Sequence, residues 1–392
     1  MHVIMDTLTL IFTIVIVWTT IYIVSQAIGL EKLNEKGVDA GTPFFLMFKT
    51  ERLNSFLTRA GKRFPKLFWN IGIVVAFIGM ALGFYIFTDN LLKLFFAPVE
   101  AGGVVPIIPG ITITGLPLFY MMIGLGITLI THEFAHGMAA SKDDIPVKSS
   151  GLLFFFLLFG GFVEPDEEVY EKKATSKQRM RLLAAGSYAN LIAAVFLLLI
   201  IMNFNPIMSV AFNQPSGAFI YETETGTAGG AALEFGDVII GLNDTVIESW
   251  ADVGEFMSTA PVGAQVTIET LDGSVIVILG QHPDNASRGY IGVFGADYWE
   301  PKPGWNLFLS PLYVFHLQQT LFWTWIILVS VGLFNLLPIP LFDGDKILRE
   351  SLRLTVKDER KIQYIMWPAR IIAVSIVVLS IGLSLYLGKG LF

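Results

Sequence analysis

Apolar residues along the chain gather in long runs separated by short polar connections. About 20 mostly apolar residues suffice to cross the hydrocarbon core of a bilayer. Six stretches qualify: 8–29, 68–88, 117–140, 182–204, 307–337 and 364–388. The fifth is long enough to tilt, bend or continue into a loop within the bilayer. The first lacks a basic start and a small-residue cleavage site, so it reads as a retained span. Two further apolar stretches do not fit as spans. Residues 151–163 (GLLFFFLLFGGFV) are too short and lie between charge clusters, which predicts a dip into the bilayer and back, with the backbone paired. Residues 94–116 carry Pro and Gly punctuation with β-branched alternation, which predicts strands and turns at the outer face.

The basic residues alternate with the spans. Residues 31–67 carry Lys32, Lys36, Lys49, Arg52, Arg59, Lys62, Arg63 and Lys66, while 89–116 carries only Lys93. Seven Lys and Arg fall in 141–181 and six in 341–363, against only Arg288 and Lys302 in 205–304. Cytoplasmic loops collect such residues. The expected arrangement is six spans with both termini outside, three basic loops in the cytoplasm, and 205–304 on the other side.

Composition agrees. Hydrophobic residues make up 54% of the 392 positions, charged residues 15%, and the mean hydropathy is +0.64. Soluble domains run about 25% charged. The net charge of -7 offers no basic surface for nucleic acid. The expected fold is therefore a polytopic α-helical membrane protein with about six transmembrane helices and membrane-associated β-hairpin segments. The bilayer is its surroundings, and multi-pass insertion in the cell membrane is its expected location. Three parts follow: an N-terminal membrane part (1–204), an inserted extracytoplasmic domain (205–304) and a C-terminal membrane part (305–392).

The inserted part holds thirteen Asp and Glu against two basic residues, with short β-type runs. Val266–Thr270 and Ser274–Ile278 alternate as a hairpin around Asp272-Gly273, and 290–293 looks like a closing strand. Gly226–Ala232 followed by Gly236-Asp237 and Val238–Asn243 resembles the PDZ signature, a short helix leading through Gly-Asp into a buried strand. That resemblance implies a small α/β domain, acting either as a binder of extended peptide or as a passive size filter.

With no cysteine in the chain, a metal must be held by histidine and carboxylate. Span 117–140 carries His132-Glu133-Phe134-Ala135-His136. Residues i and i+4 share a helix face, so His132 and His136 can chelate one ion. Glu133 can take a proton from a water activated by that ion and pass it to a leaving amine. At about 1.5 Å per residue, His132 lies roughly 22 Å below the outer end of its helix, within the bilayer and nearer the cytoplasm. Ionisable residues at such depth are costly and point to function. A third ligand is needed. His2 is terminal, His282 lies in the inserted domain, and His316 sits near the outer end of the fifth span. Asp343 is the better candidate: Pro338 and Pro340 stop the helix and Gly344 allows a turn that aims a carboxylate inward. Asp345 and Asp166 are alternatives.

These motifs resemble the site-2 proteases, zinc metalloproteases that cut substrates within the membrane. The matching pieces are His132–Gly137, the Asn335-Leu-Leu-Pro-Ile-Pro-Leu-Phe-Asp343-Gly344 segment, and Gly186-Ser187-Tyr188-Ala189-Asn190. Residues 104–115 and 160–168 look like archaeal members. The resemblance implies Zn2+ bound by His132, His136 and Asp343, Glu133 as general base and acid, and Asn190 and Asn335 as polar groups for the substrate backbone or the oxyanion. Ser187 stands where the family often has Pro, and Asp345 where Gly is common. The resemblance also implies that segment 151–163 is a membrane-dipping hairpin, whose strand edge is expected to pair with an unwound substrate, with Gly160, Gly161 and the acidic run Glu164–Glu168 expected to position or gate it.

The implied activity is hydrolysis of peptide bonds in or near transmembrane segments of membrane proteins, in regulated intramembrane proteolysis. A non-catalytic scaffold or chaperone is one alternative, but Glu133 beside two ligands has no use there. A metal transporter is another, but transport favours several sites along a path.

Overall fold

A backbone surrounded by lipid must satisfy its own N–H and C=O groups, which drives the apolar runs into helices. The computed structural model describes residues 7–106, 112–113, 115–156, 158–283 and 285–389, with side chains from Phe12 onward. His2 lies outside the described residues, as do 107–111 and 114 of the outer-face stretch. The chain divides into two compact units, 1–198 with 320–392, and 199–319.

The first unit begins with α1 (Thr7–Ile28), α2 (Leu30–Glu35), β1 (Val38–Asp39), β2 (Phe45–Lys49), α3 (Glu51–Arg63) and α4 (Lys66–Phe96). It continues with α5 (Gly115–Lys142), β3 (Val147–Phe155), β4 (Leu158–Pro165), α6 (Glu167–Lys172) and most of α7 (Ser176–Met202). In the second unit follow α8 (Phe204–Met208), β5 (Ala218–Thr223), α9 (Ala228–Ala232), β6 (Val238–Leu242), β7 (Thr245–Val246) and α10 (Trp250–Thr259). Next come β8 (Gln265–Thr270), β9 (Gly273–Ile278), β10 (Gly280–His282), β11 (Asn285–Tyr290), β12 (Val293–Asp297) and the start of α11 (Pro311–Phe334). The rest of α11, α12 (Asp343–Arg353) and α13 (Glu359–Tyr386) return to the first unit. Among the described residues, α4, α5, α7, α11 and α13 are long and apolar enough to cross a membrane, and 12–28 of α1 form a shorter apolar helix. The chain is an integral membrane protein.

The outer-face stretch departs from expectation. Residues 94–96 belong to α4, a 3-10 turn covers Pro98–Glu100, and no strand forms in 94–106. Leu91 and Leu94 are buried, and an Asp89–Lys93 pair at 2.7 Å supports the last turns, so the helix persists until Pro98.

The short stretch 151–163 forms most of a hairpin. An antiparallel sheet runs β1-β2-β3-β4, with Phe155 opposite Leu158 at the tip. Trp18 Nε1 of α1 donates to Phe156 O at 2.9 Å, fastening that tip. β4 is the outer strand and lies on α5. A Cβ at Gly160 would come 2.9 Å from Leu129, and one at Gly161 3.1 Å from Ile130. These glycines have no room for side chains because strand and helix backbones nearly touch.

α7 runs unbroken through Ser187, the position where a proline would bend it. Its start is anchored by Arg181, which donates to both carboxylate oxygens of buried Asp143 at 2.6 Å, just beyond α5. Arg179 pairs with Glu350 of α12 at 3.3 Å and lies over the Tyr170 ring. α3 buries Leu57 and exposes Arg52, Arg59, Lys62 and Arg63.

In the second unit an antiparallel sheet runs β12-β5-β6-β8-β9 around Ile220, Ile239, Leu242, Val266 and Ile268. The expected hairpin is β8–β9, with Thr270 opposite Gly273. Thr227 caps α9 by accepting from Gly230 N at 3.1 Å, and Ser249 with Asp252 forms a capping box on α10. The expected closing strand is split: Tyr290 ends β11, Gly292 turns at φ 75°, and Val293 begins β12 on the edge beside β5.

Candidate metal centre

One turn of α5 separates His132 from His136, so both rings leave the same face, 4.6 Å apart between centroids and nearly perpendicular. Their Nε2 atoms are 3.0 Å apart. Asp343 arrives from more than 200 residues further along the chain. α11 ends at Phe334, and the two prolines prevent its continuation. Gly344 N donates back to Asn335 O at 2.9 Å, closing a loop that starts α12 at Asp343. Asp343 Oδ2 then lies 3.2 Å from His132 Nε2 and 3.3 Å from His136 Nε2. All three residues are buried, between 6% and 9% exposed.

The donor set fits a divalent cation of the zinc type. At Zn–N and Zn–O distances of about 2.0–2.2 Å, the edges of a tetrahedron are roughly 3.3 Å. Edges of 3.0, 3.2 and 3.3 Å between the three donor atoms match that size. Among the described residues, this is the group of His and acidic side chains arranged to hold a metal ion.

The surrounding groups fall on two sides. Asn335 Nδ2 lies 2.8 Å from Asp343 Oδ2 and 3.2 Å from His132 Nε2, so it is on the ligating side. Asn190 Nδ2 approaches His132 Nδ1 at 3.3 Å, the opposite edge of the ring. His136 Nδ1 donates to Leu182 O at 2.7 Å. Glu133, beside the first ligand, is half-buried and has no ion-pair partner among the described residues.

The alternative carboxylates are engaged elsewhere. Asp345 accepts both Nε and Nη2 of Arg370, at 2.6 and 2.7 Å. Asp166 caps α6 through Val169 N at 2.9 Å. That amide, helped by Lys148, holds its carboxyl below the usual range. His282 and His316 belong to the other compact unit.

Two roles were not read from the sequence, that of Gly186, named there only within a matching segment, and that of Arg370. Gly186 of α7 faces the cluster: a Cβ there would lie 2.5 Å from His132 Cε1 and from His136 Nε2. Its signal was its place one turn before Asn190. Arg370 is the other, and its signal was the extra carboxylate of Asp345 two residues after the ligand. It ties the ligand-bearing helix α12 to α13 through a largely buried pair. Removing one partner of such a pair costs about 3–5 kcal/mol. Arg370→Gln is expected to lower the unfolding temperature in detergent and to speed metal loss to a chelator. Unchanged metal retention would show that Asp343 is held without this pair.

Long apolar helices around a buried His–His–Asp group define a membrane metalloprotease. Residues 120–379, well over half of the chain, match the model of peptidase family M50, and the chain belongs to that family, the site-2 proteases. The family's membrane peptidases are zinc-dependent. An uncharacterized protein of Methanocaldococcus jannaschii is 29% identical over 355 residues, 87% of this chain and 84% of that protein. Two solved PDZ domains are similar to part of this chain. The one from an SdrC-like protein of Listeria monocytogenes is 18% identical and covers 20% of this chain and 87% of its own, with a TM-score of 0.19. Its counterpart from Listeria innocua is 17% identical and covers 20% and 92%, with the same TM-score of 0.19.

Proposed function

We propose that this protein is an intramembrane zinc protease that hydrolyses peptide bonds within or near transmembrane segments of other membrane proteins, in regulated intramembrane proteolysis. The observation that carries the reading is the meeting of His132, His136 and Asp343 at one point, with Glu133 one residue from the first.

His132, His136 and Asp343 hold the ion. When bound, zinc supplies Lewis acidity, which lowers the pKa of a water to about 7. Glu133 accepts a proton from the attacking water and delivers it to the leaving amine. Asn335, whose amide is on the ligating side, donates to the oxygen that gains charge on the substrate carbonyl. A helical substrate shields its peptide bonds, so it must unwind first. The outer edge of β4, on the helix that carries both histidines, is the strand to which an extended segment adds. Glu164–Glu168 then flank the entering chain.

The chain crosses the cell membrane six times, with α1 as the first span, both ends outside and the metal nearer the cytoplasm. The acidic 205–304 region is extracytoplasmic and PDZ-like. It either binds extended peptide or excludes substrates whose outer domains have not been trimmed.

Purified protein in detergent tests the central claim with a single-span test substrate. Metal analysis is expected to find one zinc per chain. A chelator is expected to abolish cleavage, zinc to restore it, and Asp343→Asn to lose both metal and activity. Cleavage that survives complete metal removal would end the proposal.

A further inference from the structure

α7 presents one stripe to the two imidazoles, with residues spaced one turn apart. Leu182 contributes its carbonyl, which accepts from His136 Nδ1 at 2.7 Å. Gly186 contributes an absence of side chain, so both rings can approach. Asn190, fully buried, contributes its amide, with Nδ2 3.3 Å from His132 Nδ1 and Oδ1 lacking a hydrogen-bond partner among the described residues.

The two rings pose one requirement. Each turns Nε2 towards Asp343, so a ring that ligates through Nε2 carries its remaining hydrogen on Nδ1. Such an N–H needs an acceptor to fix the ring's tautomer and direction. His136 has Leu182 O. His132 faces an amide nitrogen, which would set donor against donor while a buried oxygen goes unused. A half-turn of the Asn190 amide exchanges two groups of nearly equal shape and removes that conflict. The bare oxygen then gains the partner it lacks.

We infer that Asn190 is a positioning residue: its Oδ1 accepts the Nδ1–H of His132 and holds that ring with Nε2 free for the metal. The inference rests on the metal-site reading above. It separates the two asparagines, since Asn335 stands where substrate arrives and Asn190 stands behind a ligand. α7 thereby fixes both histidines, one through its backbone and one through a side chain.

The test compares full-length wild type with Asn190→Leu, which keeps the volume and removes the acceptor, and with Asn190→Asp, which keeps an acceptor. The readouts are zinc affinity by chelator competition, 15N signals of labelled histidine, and thermal unfolding of the metal-free forms. N190L is expected to bind zinc about 10–100-fold more weakly, N190D to stay close to wild type, and metal-free stability to change little. His132 is expected to show a protonated Nδ1 in wild type and N190D. If N190L fails to fold, the N190D affinity and its histidine signals decide the matter. Zinc held by N190L as tightly as by wild type would overturn the inference and leave the metal site intact. Loosening in N190D as severe as in N190L, or a protonated Nε2 on His132, would also overturn it. A wild type that takes up no zinc would remove the metal site itself, and this inference with it.

Discussion

Glu133→Gln is expected to slow cleavage by about 10²–10⁴-fold, the usual contribution of a positioned general base, while one zinc stays bound per chain. The substitution keeps shape and helix propensity and removes only the ability to take up a proton. It touches none of the contacts among His132, His136 and Asp343, which hold the donor atoms 3.0–3.3 Å apart. Glu133 has no ion pair to lose among the described residues, so stability should hardly change. Turnover of the single-span substrate and metal content measured on the same preparation check this. Wild-type turnover in the zinc-loaded variant would remove Glu133 from the proton path.

Gly186→Ala is expected to empty the site. The new methyl carbon would lie 2.5 Å from His132 Cε1 and His136 Nε2, and 2.6 Å from His132 Nε2. The rings cannot back away from α7 without breaking their contacts to Leu182 and Asn190 on the same helix. Either the rings turn away from the ligating direction or α7 retreats from α5. Zinc content and cleavage should both fall close to zero. Alanine favours a helix over glycine by about 1 kcal/mol, so the metal-free form should remain folded. A G186A protein that retains zinc would mean that the helices separate more easily than their packing indicates.

Five of the six expected spans, now α4, α5, α7, α11 and α13, and the ligand pair were legible because their signals are local: runs of apolar residues, and two histidines one turn apart. Asp343 was legible through its prolines and the following glycine, which announce a turn. The choice between Asp343 and Asp345 was not, because it depends on Arg370, 25 residues further along on another helix. Gly186 shows the same difficulty. A glycine in an apolar helix looks like ordinary close packing, and only the structure reveals which atoms fill the space. The outer-face stretch misled in the opposite direction. Its Pro and Gly residues begin only at Pro98, while Leu94, Phe95 and Phe96 continue α4.

Among the described residues, the ion pairs that join separate segments of the first unit with little exposure are Arg181–Asp143, Arg179–Glu350 and Arg370–Asp345. They tie the end of α5, the beginning of α7, α12 and the early part of α13. Among the described residues, the ion pair at the far end of α4 is the exposed Asp89–Lys93 pair within its own helix. The bundle is therefore riveted at one end. Amide hydrogens near the rivets should exchange late, and at the other end α13 and the residues just after it are tied to the loop after α4 by hydrogen bonds instead, Val104 N donating to Ser384 Oγ at 2.9 Å and Lys389 Nζ to Ala101 O at 2.8 Å.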